Sequence, residues 1–273
     1  LSILQGPGDT VGNWLLAEQN IAFYTFTGST RVGRIIQQAA GLRRTQMELG
    51  SIASTIVCAD ADLEKAIPKI INAAFRKAGQ VCTSVQRLYV ERPIFDLVAQ
   101  RLSDAAGSFP AGNPQDPATR VGPLITEAAA RRAEEWIQEA VKAGAQLLCG
   151  GQRQGSVLQP TVLIRGAAHT NSWCAEAFAP LLSLEPFDDL DEAISGANST
   201  PYGLSAGVFT SNLNKALLAT QKLRFGTVQV NETSSARSDV MPFGGVKDSG
   251  FGKEGPWHSM REMTEERLVI FNP

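Results

Sequence analysis

Segments that favour a strand alternate with segments that favour a helix along the whole chain, and a glycine separates many of them. This alternation constrains the fold more than any other feature of the sequence. Residues 21–41 illustrate it, because they predict a strand through Phe26, a turn at Gly28, and a helix that Ser29 or Thr30 caps. Strands that alternate with helices predict an α/β fold with largely parallel sheets.

The two ends of the sequence are also expected to form strands. Residues 1–5 are mostly apolar and precede a glycine-containing turn, and residues 264–273 end in a second apolar run. Between them, Gly41 is expected to end the helix that follows Gly28.

A second helix is expected to begin at Asp60 or Asp62 and to end at Gly79. Pro68 falls inside this segment. Because proline disrupts a helix interior, the sequence predicts a kink there and a second helical segment that starts at Pro68.

Composition excludes several classes of protein. The 273 residues suggest one large domain or two ordinary ones, and the net charge of −2 has no basic block of the kind that nucleic-acid binders carry. No apolar run is long enough to cross a bilayer, and the first residues lack the features of a signal peptide. No CxxC pair or zinc-site spacing occurs, which predicts no metal and fits a reducing cytoplasm. The cysteines and histidines are Cys58, Cys82, Cys149, Cys174, His169 and His258.

Cys82 could be a small buried residue or a nucleophile. Cysteines are often buried, and an unperturbed thiol is mostly protonated at neutral pH, so a nucleophile needs a partner that takes its proton. Glu48 lies between a strand and a glycine and is a candidate for that partner. The spacing alone does not show that the two side chains meet.

Six motifs occur in order: FTGST, MELGS, GQVCTS, EAFAP, PYGLSAGVFT and PFGGVKDSGFGKEG. Together they make the chain resemble the NAD(P)-dependent aldehyde dehydrogenase superfamily over nearly its whole length. The resemblance implies part of a Rossmann-type cofactor domain over residues 1–50 and a nucleophile-bearing α/β catalytic domain over residues 51–250. Residues 251–273 would form a C-terminal return segment with an oligomerisation strand, so that a homo-oligomer is expected.

The resemblance also assigns roles to individual residues. Cys82 matches the nucleophile, which forms a thiohemiacetal and then a thioester, and its backbone N–H would stabilise the oxyanion. Glu48 matches the base that activates the hydrolytic water. NAD or NADP is the implied cofactor. Its expected contacts are Gly8, Gly28, Ser29, Leu49, Glu176 and Phe178, with Glu176 at the nicotinamide ribose and the helices after Gly8 and Gly28 beside the adenine.

Three departures from the family pattern have consequences. Ser51 and Ala179 each replace a glycine, and the methyl group of Ala179 would shift its turn if φ is positive there. Family members are nearly twice as long, so the chain is expected to be a C-terminal portion without the asparagine that completes the oxyanion hole. We therefore expect little dehydrogenase activity from the 273 residues alone, because one oxyanion donor contributes about 10²–10³ in rate.

Arg237 precedes the last of the six motifs and could bind an anionic group of a small aldehyde through a bidentate contact. Alternatively it forms a salt bridge with Asp239 or Asp248. Lys247 and Lys253 are expected to be solvated. Of the other candidates, Cys58 and Cys149 are expected in the core, Cys174 in a loop near Glu176, His169 in the same loop, and His258 at the surface.

The sequence therefore predicts a cytoplasmic oxidoreductase that converts a small aldehyde, neutral or anionic, to its acid with NAD or NADP. Acyl transfer to coenzyme A is open as a second outcome of the thioester. An alternative of another class is a truncated, non-catalytic family member that acts as a binding or assembly module. A plain nucleotide binder is disfavoured by the joint presence of Glu48, Cys82 and Glu176.

Overall fold

The structure, a computed structural model, describes all 273 residues and contains nine α-helices and twelve strands. The helices are α1 Gly8–Ala17, α2 Thr30–Ala40, α3 Leu63–Phe75, α4 Phe95–Gly107, α5 Glu127–Lys142, α6 Asn171–Cys174, α7 Leu190–Asn198, α8 Leu213–Lys222 and α9 Pro256–Glu262. The strands are β1 Phe23–Thr27, β2 Arg44–Glu48, β3 Ala53–Val57, β4 Val85–Glu91, β5 Gln146–Cys149, β6 Arg153–Gln154, β7 Val157–Leu158, β8 Thr161–Ile164, β9 Leu181–Phe187, β10 Ser205–Phe209, β11 Thr227–Val230 and β12 Gly250–Phe251.

Seven strands form the larger sheet, in the order β11-β10-β3-β4-β9-β8-β5. All neighbours are parallel except β5, which runs antiparallel to β8. One hydrophobic cluster joins this sheet to α3, α4 and α5, and another joins it to α7 and α8. Strands covered on both faces are expected to be apolar throughout, as β3 and β10 largely are. The expected α/β fold with a mostly parallel sheet is confirmed.

Three strands form the smaller sheet, in which β2 lies between β1 and β12. β1 and β2 are parallel, and β12 is antiparallel to β2, with Gly250 opposite Glu48. Ser29 caps α2, since its side chain accepts a hydrogen bond from the Val32 N–H at 3.4 Å. Gly41 ends α2 with φ of +59°. Both local signals in the sequence are therefore confirmed, with Ser29 rather than Thr30 as the cap.

The chain returns to the smaller sheet after β11, and this return joins the two sheets. The Ser249 hydroxyl donates to the Gly50 carbonyl at 2.7 Å and accepts from the Gly203 N–H at 3.0 Å. The Asp248 carbonyl accepts from the Thr30 hydroxyl at 2.9 Å. The junction between the sheets thus contains buried polar contacts, and the domain limits at residues 50 and 250 stay predictions.

The strands expected at the two ends do not form. Residues 1–7 and 264–273 contain no strand, and Leu268 and Phe271 are more than 80% exposed. A strand requires a neighbour to which its backbone can hydrogen-bond, and no segment of this chain pairs with either end. Within the single chain both predictions were therefore wrong, and pairing of residues 264–273 with a second subunit stays a prediction.

The helix around Pro68 also differs from the prediction. α3 is continuous from Leu63 to Phe75, with Pro68 inside it, because the apolar face of the helix is buried against the larger sheet. Asp62 caps α3 by accepting from the Lys65 N–H at 3.3 Å. The helix ends before Gly79, and a short 3₁₀ turn follows.

None of the nine helices combines the length and the apolar character that a membrane span requires.

Candidate active site

The predicted site residues lie where the two sheets meet. Glu48 ends β2, and its backbone carbonyl accepts from the Gly28 N–H at 3.0 Å. Cys82 and Glu176 precede β4 and β9, so they lie at the amino edge of the larger sheet. The carboxyl ends of the smaller sheet's parallel strands therefore meet the amino ends of the larger sheet's strands.

Cys82 lies in a turn that the backbone closes with a Ser84 N–H to Val81 carbonyl hydrogen bond of 2.9 Å. The approach to this turn is unusual, because Lys77, Ala78 and Gly79 all have left-handed φ angles, of 53°, 57° and 68°. Such backbone conformations disfavour side chains and persist where the surrounding structure holds them.

Gly79 brings the approach to Cys82 against the turn that carries Phe178. A Cβ atom at Gly79 would lie 2.1 Å from the Ala179 carbonyl oxygen, so only glycine allows this contact. The positive φ of that neighbouring turn belongs to Phe178, at 49°, and not to Ala179. The condition for a shifted turn at Ala179 is therefore not met, and its methyl group is buried.

Hydroxyl groups connect the residue after Cys82 to the loop that carries Arg237. The Thr83 and Ser235 hydroxyls lie 3.0 Å apart, and the Ser234 hydroxyl donates to the Thr83 carbonyl at 2.8 Å. Arg76 donates to the Ser235 hydroxyl at 3.1 Å. These contacts hold the nucleophile turn in addition to the contact between Gly79 and Ala179.

The Cys82 side chain is a neutral thiol at pH 7. Burial raises its pKa to about 11, and the negative charges of Glu48 and Glu176 act in the same direction. Arg237 and the backbone N–H of Cys82 oppose this rise. The thiolate is the nucleophilic form, so any chemistry at Cys82 needs a deprotonation step.

Glu48 is 4% exposed, and neither of its carboxyl oxygens has a hydrogen-bond partner. Burial raises its pKa to about 8, and the charge of Glu254 adds to the rise, whereas Lys253 and Arg237 oppose it. A carboxyl group with this pKa exchanges protons near neutral pH, which suits a general base. An unpartnered buried carboxyl group beside a thiol is also typical of a functional site.

Glu176 is held from the other side of the junction. One carboxylate oxygen, Oε1, accepts from the Ser51 N–H at 2.9 Å. Gly50 leaves room for the other oxygen, because a Cβ there would lie 2.9 Å from Oε2. Burial raises the pKa of Glu176, and the Ser51 N–H and Arg132 lower it. The Ser51 replacement leaves the backbone contact intact.

A cavity of about 540 Å³ lies between α1, α2 and β1. Its walls are largely apolar, and Gly8 and Val32 are among the residues that line it. Apolar walls of this kind can bind a flat heteroaromatic ring. The helix N-terminus at Gly28 and Ser29 can bind an anion through its backbone N–H groups. The described residues thus fit a dinucleotide that extends from this cavity to Glu176.

Leu49 and Phe178 differ in what they offer to such a ligand. Leu49 is buried, its N–H donates to the Ser249 carbonyl at 3.0 Å, and its side chain contacts Gly33. Phe178 is 40% exposed at the junction. Contacts of both residues with a cofactor stay predictions.

Arg237 forms a salt bridge with Glu254 at 2.8 Å, and its guanidinium lies 4.1 Å from the centre of the Phe243 ring. The expected partners Asp239 and Asp248 were wrong, since Asp248 pairs with Arg34 at 2.7 Å instead. The other N–H groups of the Arg237 guanidinium donate to no group of the chain.

Two lysines that were expected to be solvated form hydrogen bonds with backbone carbonyls instead. Lys253 donates to the Gly244 carbonyl at 2.7 Å, and burial lowers its pKa while the charge of Glu48 opposes this. Lys247 donates to the Thr200 carbonyl at 2.8 Å. Lys253 is the more important correction, because it places a cation beside Glu48.

The remaining cysteines lie outside the site. Cys58 is fully buried, Cys149 is half-buried at the end of β5, and Cys174 is exposed with its sulfur 3.7 Å from His169 Nδ1. His258 is half-buried and contacts the edge of Trp257. Cys82 is thus the one cysteine that the fold brings to the junction with two carboxyl groups.

Sequence reasoning missed several residues at the junction. Lys253 and Glu254 stand within the last of the six motifs, so that motif contained a signal for them. Tyr202, which contacts Gly50, stands in the same way within the motif PYGLSAGVFT. Gln86 gave no such signal, since its contacts with the Glu176 segment exist only in the folded chain.

Comparison with known proteins matches the chain to one family. The model of the aldehyde dehydrogenase family covers residues 1–269. A 3-sulfolactaldehyde dehydrogenase of Priestia aryabhattai is 44% identical over all of this chain and 57% of that protein. A lactaldehyde dehydrogenase of Methanocaldococcus jannaschii is 38% identical over 99% of this chain and 58% of that protein.

A solved structure gives the same result. Glyceraldehyde-3-phosphate dehydrogenase from Methanocaldococcus jannaschii, complexed with NADP, superimposes with a TM-score of 0.92 at 39% identity. The match covers 94% of this chain and 56% of that one. The chain thus spans little more than half the length of these relatives, and over that length it is similar to them in sequence and in fold. The chain belongs to the aldehyde dehydrogenase family.

Proposed function

We propose that this chain carries the catalytic residues, and part of the cofactor site, of an NAD(P)-dependent aldehyde dehydrogenase. The observation that supports this most directly is the convergence of three groups from separate elements. Glu48 from β2 and Glu176 from the loop before β9 both act on the pKa of Cys82. This reaction requires a thiol and a carboxyl group that titrates near neutral pH, and a second carboxylate can bind the cofactor.

Cys82 is the nucleophile. The ionised carboxylate of Glu48 takes the thiol proton, directly or through a water molecule, and releases it to solvent before the second half of the reaction. The thiolate adds to the carbonyl carbon of the aldehyde, and the oxyanion that forms is stabilised by the Cys82 backbone N–H, which donates to no other backbone group. The carbon then loses its hydrogen as a hydride, and the thiohemiacetal becomes a thioester. NAD(P), which Glu176 and the cavity between α1 and α2 would hold, would supply the hydride acceptor, and the positive charge of its oxidised nicotinamide would favour the thiolate.

Glu48 acts in the second half of the reaction. Its ionised carboxylate takes a proton from a water molecule, the water oxygen attacks the thioester carbon, and the Cys82 sulfur leaves as the acid is released. With its pKa near 8, the base form of Glu48 increases as the pH rises through that value. Glu176 would bind the nicotinamide ribose, and the cavity between α1 and α2 would hold the adenine.

The substrate is a small aldehyde, and Arg237 suits one that carries an anionic group. Several of its guanidinium N–H groups are free of protein partners, and its charge reaches Cys82 and Glu48. A relative that acts on 3-sulfolactaldehyde and a solved glyceraldehyde-3-phosphate dehydrogenase support an anionic substrate, and a relative that acts on lactaldehyde supports a neutral one. Arg237→Ala should raise the KM of anionic aldehydes and leave that of neutral ones unchanged.

Assembly is the last part of the proposal. The apolar side chains of residues 268–271 are exposed and have no partner in the chain. Unpaired apolar segments of this kind are typical of strands that join a second subunit. Light scattering of the protein with and without residues 264–273 tests this, and an unchanged mass would overturn it.

The reaction is tested with the protein expressed from its full reading frame, by aldehyde-dependent formation of NADH or NADPH. Cys82→Ala should lower the rate by about 10⁴-fold or more, as loss of a covalent nucleophile does. Cys174→Ala is the matched control and should retain activity. Cofactor binding without turnover in the wild type would instead support a binding or assembly module. Product analysis with and without coenzyme A distinguishes hydrolysis from acyl transfer.

A further inference from the structure

Gln86 is a buried polar residue that the proposed mechanism does not use. It lies in β4, four positions after Cys82, and is 5% exposed. Its amide nitrogen donates to the Ser172 carbonyl at 2.9 Å and to the Ala175 carbonyl at 2.7 Å. Its amide oxygen accepts from the Ala177 N–H at 3.0 Å. Both amide hydrogens and the oxygen therefore have partners.

Two of these three contacts flank Glu176. The Ala175 carbonyl belongs to the peptide group before Glu176, and the Ala177 N–H belongs to the peptide group after it. A side chain that binds both groups fixes the backbone on each side of one residue, and this sets the direction in which that residue's Cβ points. Gln86 thus determines the direction in which the Glu176 side chain leaves the backbone.

The far end of Glu176 is held separately. Its Oε1 accepts from the Ser51 N–H at 2.9 Å, and the missing side chain of Gly50 makes room for its Oε2. The Glu176 side chain is therefore fixed at its base by β4 and at its carboxylate by the loop between β2 and β3. Few rotamers satisfy both constraints, so the carboxylate is preorganised.

Two other side chains form different hydrogen bonds with the same segment. Arg87 donates to the Trp173 carbonyl at 2.7 Å and so anchors α6. Arg132 donates to the Ala177 carbonyl at 3.2 Å. Neither contacts the peptide group between Ala175 and Glu176, so Gln86 alone holds both sides of the residue.

We infer that Gln86 is a positioning residue for the cofactor site. Its amide fixes the backbone from which the Glu176 side chain reaches the ribose attached to nicotinamide. The inference rests on the proposed function only for the identity of the ligand that Glu176 binds. β4, which contains Gln86, directly follows the Cys82 turn. The same amide therefore also fixes the distance between this turn and the Glu176 carboxylate.

The test uses the protein expressed from its full reading frame, with two probes that occupy separate halves of the cofactor site. Nicotinamide mononucleotide probes Glu176, and adenosine monophosphate probes the cavity between α1 and α2. Gln86→Met keeps the size of the side chain and removes its hydrogen bonds. Gln46→Met is the matched control, since Gln46 is also a buried glutamine near the junction and does not contact the Glu176 segment.

We expect Gln86→Met to raise the Kd of nicotinamide mononucleotide about tenfold, which corresponds to the loss of about one hydrogen bond to the Glu176 carboxylate. The Kd of adenosine monophosphate should not change. The Ser51 amide should exchange its hydrogen faster, although Gln86 does not touch it. Gln46→Met should change none of these values.

A double variant separates positioning from a general structural role. If Gln86 acts through Glu176, Gln86→Met combined with Glu176→Gln should bind the mononucleotide no more weakly than Glu176→Gln alone. Additive losses, or wild-type affinity in Gln86→Met, would overturn the inference. If Gln86→Met does not fold, Gln86→Asn replaces it, because the shorter side chain moves the amide back by one methylene. The same binding and hydrogen-exchange measurements then apply.

The proposed function and the inference fail in different ways. Absence of mononucleotide binding in the wild type, with monophosphate binding intact, would refute the role of Glu176 in the proposed function. Ser51 exchange then decides the inference: faster exchange in Gln86→Met supports the positioning role, and unchanged exchange overturns it.

Discussion

The seven-stranded and the three-stranded sheet differ in how they are stabilised. In the larger sheet every residue of β3 and β10 is buried, and helices cover both faces. In the smaller sheet β1 is partly exposed, and Ile35 of α2 is 47% exposed although its helix faces that sheet. Neither hydrophobic cluster contains a residue of the smaller sheet.

Functional groups do not follow this division. Glu48 comes from the weakly covered sheet, whereas Cys82 and Glu176 come from loops of the well-covered one. A site assembled in this way can lose its geometry while most of the protein stays folded. Local changes in the smaller sheet should therefore impair the site before they impair the fold, and the following variants test this.

The largest difference is expected between one substitution in each sheet. Leu88→Ala, in β4, removes a fully buried side chain and should cost about 2–5 kcal/mol of the free energy of unfolding. Ile35→Ala, in α2, should cost below about 1 kcal/mol, because its side chain is half exposed. Chemical denaturation measures both values, and equal costs would show that the two sheets share one core.

Glu48→Gln should stabilise the protein at alkaline pH. The pKa of Glu48 is near 8 in the folded protein and ordinary, near 4.5, in the unfolded chain, so folding binds a proton between these values. Wild-type stability should therefore fall as the pH rises from about 4.5 to about 8. Glu48→Gln lacks this loss and should be more stable at pH 9 by an amount on the order of a few kcal/mol.

Denaturation at pH 4, 7 and 9 measures this effect. Glu266→Gln, in the exposed tail, is the matched control and should follow the wild type at each pH. A gap between Glu48→Gln and the wild type that is independent of pH would contradict the expected burial of an ionisable group.

Ser249→Ala should weaken the junction itself. The variant leaves the buried Gly203 N–H without an acceptor and the Gly50 carbonyl without its donor, at a cost of about 1–3 kcal/mol. Ser238→Ala, at an exposed position whose hydroxyl makes no hydrogen bond, should cost nothing measurable. If both variants unfold at the wild-type midpoint, the junction contributes little to stability.

The smallest effect is expected at Ser29. Ser29→Ala removes a long N-cap hydrogen bond and should destabilise α2 by about 0.5–1 kcal/mol. Hydrogen exchange should become faster in α2 and stay unchanged in β4. Faster exchange in β4 as well would mean that the helix unfolds together with the larger sheet.

The sequence predicted elements whose signals are local. Alternating strands and helices, the Ser29 cap and the Gly41 stop depend on neighbouring residues, and all three agree with the structure. The strands at the two ends depend on a hydrogen-bonded partner that the sequence does not reveal. The kink at Pro68 was wrong because burial of the helix face outweighs one lost hydrogen bond.

The site was predictable only as a set of motifs. Cys82 and Glu48 have no spacing that brings them together, and their roles followed from resemblance. The Glu254 partner of Arg237 and the cation of Lys253 depend on how the return segment folds back along β2. Gln86 binds Ala177, 91 positions away, and no local pattern identifies such a contact.

The buried thiol of Cys82 has a consequence for covalent labelling. A thiol with a pKa near 11 between two carboxyl groups reacts slowly with general alkylating reagents at neutral pH, whereas Cys174 is open to them. Reactivity profiling would therefore rank the surface cysteine above the one at the junction. Selective inhibitors of Cys82 would therefore need an electrophile that the junction itself binds and positions beside the thiol.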